Sequence, residues 1–202
     1  MLTPLDFKKI YDENIHRVNV LGDAEIQYRE HLQDATESDS LTSEQWNNLV
    51  KVCSIIKANS ERFYMAHWHT PDHIENECGT SHCIAGWAAS LAANDTDLRT
   101  MDQGFYARLL GKTDEEVESI RMKFEDSFTN PVSYIANQML SDYVSPFFYW
   151  TRGIYGSGET AEQVIMDCFI DAVLAEAEAE SNEILEEFNR TILSFERQLT
   201  CA

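Results

Sequence analysis

Positive charge is scarce in this sequence. The 202 residues carry 15 lysines and arginines against 35 aspartates and glutamates, a formal net charge of −20. A field of that sign repels nucleic acid and anionic membrane surfaces and attracts basic proteins and cations. Long apolar runs are lacking too. No segment approaches the roughly 18 apolar residues that a membrane-spanning helix needs, and MLTPLDFKKIYDENIH has no apolar stretch of signal-peptide length. The five cysteines are odd in number and scattered at 53, 78, 83, 168 and 201. That spacing argues against a secreted disulfide framework and for a reducing compartment. A cytoplasmic protein is the expectation.

Strand patterns, internal repeats and long heptad runs are also missing, whereas helix signals recur. Thr3, Pro4 and Asp6 open a helix whose apolar positions are Phe7, Ile10, Tyr11, Ile15 and Val18. Residues 21–41 read as polar and mixed. Thr42 and Gln45 have capping-box spacing ahead of a stripe of Trp46, Leu49, Val50, Cys53 and Ile56, and Asn59 is a candidate left-handed stop. CIAGWAASLAA reads as a small-residue helix that another element can approach closely. Thr113 with Glu116 caps a helix after Gly111, and Asn130-Pro131 begins one that stops before Pro146. Thr160 with Gln163 opens a long segment to about residue 199, with Ile184, Phe188, Ile192, Phe195 and Leu199 as its stripe. The expected fold is all-α, a compact single domain of six to eight helices. Residues 1–158 form the core, and the acidic segment 159–202 packs on it. SPFFYWTRGIYGSG (145–158) reads either as a docking loop or as a loop whose rings fill the core.

Chemistry-bearing residues concentrate in MAHWHTPDHIENECGTSHC, which holds His67, His69, His73, His82, Cys78 and Cys83. Thiolate and imidazole are zinc ligands, and His69, Cys78, His82 and Cys83 are the preferred set. The adjacency of His82 and Cys83 opposes it, because neighbouring helical side chains diverge by about 100°. A second chemical reading makes Cys83 a nucleophile activated by a helix N-terminus. The third is structural: Thr80 or Ser81 caps the helix, and the thiols pack beside Trp68 and Trp87. The stretch resembles, over about ten residues, the cysteine region of papain-type proteases. Those enzymes place their histidine downstream, and this chain has no histidine after His82. Trp68, Cys78, Gly79, Thr80, Cys83, Ile84, Ala85, Gly86, Trp87 and Ala88, followed by Ala107, Leu109, Leu110 and Gly111, resemble a group of uncharacterised bacterial and phage proteins. That resemblance covers roughly residues 42–125 and implies no activity.

From Glu159 to Glu187 there are ten acids and no lysine or arginine. Glu176, Glu180, Glu183 and Glu187 share one helix face, with carboxylates about 4.5–6 Å apart along the axis. Such a ladder is a surface for a basic partner; its sharper form is a mimic of DNA that occupies a nucleic-acid-binding protein. The expectation is a non-enzymatic binding protein without a cofactor. A zinc protein and a cysteine-dependent enzyme are the alternatives. A di-metal carboxylate site is disfavoured, since that design needs Glu-x-x-His pairs on facing helices and this half of the chain has no histidine.

Overall fold

The computed structural model describes residues 1–20, 22–65, 83–93, 113–126, 131–153 and 158–181. Within them the fold is all-α apart from one short pair of strands. Helix α1 (Pro4–Asn14) starts on a reciprocal cap: the Thr3 amide donates to the Asp6 carboxylate at 2.8 Å, and the Asp6 amide donates to Thr3 Oγ1 at 3.3 Å. Phe7 and Tyr11 bury its inner face. The helix stops at Asn14, so Val18 does not extend the stripe. A 3-10 turn, Ile15–Arg17, leads instead into strand β1 (Val18–Val20).

Strand β1 pairs antiparallel with β2 (Trp150–Gly153), and the register shifts between Asn19 and Val20. The sequence offered no strand here because three or four residues are too few to display an alternating pattern. Helix α2 (Gly22–Gln27) runs directly into a π-helical stretch, Tyr28–Leu32, where the Gln33 amide donates to the Tyr28 carbonyl at 2.8 Å. The reading of 21–41 as merely polar missed this element. Its buried stripe is thin: Ala24 and Leu32 are fully buried, and Tyr28 stacks on Tyr11 at 4.7 Å.

Helix α3 (Ser43–Ala58) has the expected Thr42–Gln45 capping box and buries Trp46, Leu49, Val52, Cys53 and Ile56. Val50 sits at the edge of this stripe. Asn59 ends the helix without a left-handed turn. Its φ is −129°, and its side-chain amide donates to the Ile55 carbonyl at 2.8 Å, satisfying the helix end directly. Helix α4 (Ile84–Ala93) packs on α3 and on α6 (Pro131–Leu140). Its small residues allow that approach, and residues 84–90 are all buried. Helix α5 (Asp114–Asp126) begins at Thr113, whose hydroxyl accepts from the Glu116 amide at 3.2 Å, as the spacing predicted.

Helix α6 ends at Leu140, six residues before Pro146. Ser141 takes φ 99°, and the chain re-enters a 3-10 helix over Asp142–Tyr149 that contains Pro146. Of the rings in the 145–158 stretch, Phe147, Phe148 and Trp150 are buried in the core and Tyr149 is half-buried, while Tyr155 lies outside the described residues. Phe147 stacks on Phe169 at 4.4 Å and lies 5.2 Å from Trp150, while Phe7 sits 5.7 Å from Phe169. Helix α7 comprises Ala161–Ile165, a π-helical Met166–Ile170, and further α-helix to residue 181. Val164, Ile165, Phe169, Ile170 and Val173 belong to the same buried cluster as α1 and α3, so this part of the acidic segment is integral to the core. The expected stripe from Ile184 to Leu199 lies outside the described residues. No helix among those described is long and apolar enough to cross a membrane.

Candidate functional site

Cys83 stands at the head of α4, where its carbonyl accepts the first intrahelical bond from the Trp87 amide at 3.0 Å. The amides of Ala85 and Gly86 donate toward its sulfur. The thiol therefore occupies the position that serine or threonine usually fills. The caps expected from the sequence, Thr80 and Ser81, lie outside the described residues. Cys83 is 1% exposed. Burial pushes its thiol up to about 11, although those amides pull the other way. An activated nucleophile requires the opposite shift. Cys53, in the core of α3, is pushed higher still by burial alone.

The other three preferred zinc ligands, His69, Cys78 and His82, lie outside the described residues, as do His67 and His73. Among the described residues no three histidine, cysteine or acidic side chains converge closely enough to hold a metal ion.

Of the glutamate ladder, α7 presents Glu176 and Glu180 one turn apart; Glu183 and Glu187 lie outside the described residues. The two carboxylates share the Met1 amino group, which donates to Glu176 at 2.7 Å and also to Glu180. Glu180 accepts in addition from the Trp46 indole at 3.0 Å. Trp46 is 4% exposed, so this bond joins the acidic helix to a buried ring of α3. Glu176 and Glu180 remain 37% and 35% exposed. Asp167 and Glu178 are exposed on the same segment.

Four basic side chains among the described residues pair with the molecule's own carboxylates. Arg17 pairs with Glu159 at 2.5 Å and Lys57 with Asp171 at 2.6 Å, while Lys8 pairs with Asp12 and Arg29 with Glu25. Arg17 holds the Glu159 carboxyl below its ordinary range. Arg62 lies over the Trp87 ring at 5.6 Å.

A polar cleft beside the end of α6 carries no motif. Its lining comes from separate stretches around residues 30, 45, 137 and 142, so only the folded chain brings it together. No family model, no curated protein and no solved structure matches this chain.

Proposed function

We propose that the chain is a non-enzymatic binding protein that engages a basic protein partner through its acidic surface. The observation that carries this reading is the placement of charge. The net charge is −20, and Lys8, Arg17, Arg29 and Lys57 are each committed to a carboxylate of the same molecule. Their charge is neutralised at short range, and the acidic excess is left to act outward. On α7, one amino group faces two carboxylates, so that site keeps net negative charge while Glu178 adds to it from the exposed side.

The test replaces Glu176, Glu180, Glu183 and Glu187 together with glutamine. Glutamine at 180 retains an acceptor for the Trp46 indole, so charge is removed without orphaning the ring. Affinity capture from a lysate is run at about 50 mM and about 300 mM salt, since screening separates surface electrostatics from apolar contact. The wild-type chain retains a basic protein at the lower salt and releases it at the higher, and the variant recovers much less at either. Equal recovery by a variant with an unchanged circular dichroism spectrum refutes this face as the site. Competition by duplex DNA for the captured protein distinguishes the DNA-mimic form from a generic acidic surface.

A further inference from the structure

The Glu176–Glu180 pair of α7 already holds a cation of known chemistry. The Met1 ammonium donates to Oε1 of Glu176 at 2.7 Å and also to Oε1 of Glu180. Both carboxylates therefore reach one nitrogen, and their convergence is fixed by the bonds themselves. Side chains four positions apart lie above one another on a helix, which gives the pair its shared face. Glu180 is also held from the other side. Its Oε2 accepts from the Trp46 indole at 3.0 Å, and Trp46 is 4% exposed. A buried ring of α3 thus orients this carboxylate and leaves Oε1 for the ammonium.

The pair lies where another molecule can reach it. The buried residues of α7 end at Val173; from 174 to 181 Leu174 and Ala177 are half-buried, and Ala175, Glu178, Ala179 and Ser181 are exposed. Its geometry also ranks the cations it suits. An ammonium carries three donors on one nitrogen and can bridge two separate carboxylates. A guanidinium fork prefers both oxygens of one carboxylate, and at Glu180 the indole holds one of them. The Met1 ammonium cancels one of the two negative charges at this point of the acidic face.

We propose that Glu176 and Glu180 form a seat for a primary ammonium group, the lysine side chain of a basic partner, and that the chain's own N-terminus masks it. The inference rests on the acidic-surface function proposed above and adds two things to it. One is a preference for lysine over arginine. The other is an autoinhibitory contact: a partner's lysine must displace Met1, and moving the Met1 amine away unmasks the face.

Titration calorimetry with hexa-lysine peptide at about 50 mM salt tests it, because screening is weak there. Four proteins are compared: the chain beginning at Met1, the same chain extended by Gly-Ser ahead of Met1, and Glu176→Gln/Glu180→Gln with each terminus. The extension moves the terminal charge without removing it, so the net charge is unchanged. The extended chain binds the peptide about three- to fivefold more tightly, the scale of one partly exposed ion pair. In the double-glutamine background the extension makes no measurable difference. Hexa-arginine gains less from the extension than hexa-lysine does, and an equal gain refutes the preference for lysine. Equal affinity of the extended and unextended chains, the same gain in the glutamine background, or no binding of hexa-lysine by either chain overturns the mask. The capture experiment reads whether the face binds a partner, and the extension reads whether the terminus covers it. Capture that depends on the four glutamates, with no gain on extension, keeps the acidic surface and removes the mask; a gain on extension without such capture does the reverse.

Discussion

At the residue scale, Cys83 shows how two effects on one thiol are ranked. A helix N-terminus and two amides favour the thiolate, yet removal from water outweighs them, and the group titrates near 11 rather than at its ordinary 9.0. In the folded protein at pH 8, Cys83 therefore alkylates with iodoacetamide about 100-fold more slowly than in denaturant. Peptide mapping by mass spectrometry checks this, and rapid labelling of Cys83 in the native state rejects it. The same shift fixes a pH dependence. The folded value lies above the unfolded one, so the contribution to stability is complete below about pH 9 and is lost as pH rises toward 11. The loss reaches about 1.4 kcal/mol per pH unit for each such thiol. Cys83→Ser keeps a capping acceptor and removes one titration, so its unfolding free energy falls less steeply over that window. Glu180 poses a simpler question. Glu180→Leu leaves the Trp46 indole N–H without its 3.0 Å acceptor. Because Glu180 is 35% exposed, water can partly replace it. The expected loss is therefore about 1 kcal/mol, the low end for an orphaned buried donor, against a few tenths for Glu180→Gln. Urea unfolding of the two variants measures the difference.

At the element scale, what could be read from the sequence was local. Thr3 with Asp6, Thr42 with Gln45, Thr113 with Glu116 and Thr160 with Gln163 all cap the helices their spacing implied. Each box closes within three residues, so no distant contact decides it. What depends on distant partners was not legible. The β1–β2 pair joins residues 130 or more positions apart, and Tyr28 belongs to a buried face only because Tyr11 stacks on it. The cleft and the Glu180–Trp46 bond are nonlocal in the same way. Ser141 is a separate case. Its backbone conformation favours glycine, so a serine there gives no signal that α6 ends five residues earlier than Pro146 requires. That conformation costs a non-glycine residue about 1–3 kcal/mol, while the Ser141 hydroxyl recovers part of it by accepting from the Tyr143 amide at 3.3 Å. Two substitutions separate the terms. Ser141→Ala keeps the strain and loses the acceptor, destabilising by about 1 kcal/mol. Ser141→Gly loses the acceptor and relieves the strain, so it is at least as stable as the wild-type protein. Thermal unfolding that ranks alanine above glycine at this position contradicts the account.

At the scale of the whole molecule, attraction and repulsion among charges act over different ranges. The apolar cluster gathers α1, α3, α4, α6, the 142–150 stretch and α7 around Phe147 and Phe169, and it must hold together a body of net charge −20. The ion pairs Lys8–Asp12, Arg17–Glu159, Arg29–Glu25 and Lys57–Asp171 are short-range contacts of partly exposed side chains. Such pairs contribute about 0–1 kcal/mol each and weaken as salt is added. The repulsion of the acidic excess is instead collective. At 10 mM salt the screening length of about 30 Å spans a domain of this size, so distant carboxylates repel one another; at 0.1 M it falls to about 10 Å and only neighbours remain coupled. If repulsion dominates, adding salt stabilises the fold; if the pairs dominate, it destabilises it. The excess of acids, 35 against 15, decides for repulsion. Raising sodium chloride from 10 to 300 mM is therefore expected to increase the unfolding free energy at pH 7 by about 1 kcal/mol, with a matching rise in the thermal midpoint. The same titration on Arg17→Gln, which lacks one pair, gives a larger increase from a lower starting value. A midpoint that falls with salt in the wild-type protein would show that the ion pairs, and not the net charge, govern its electrostatics.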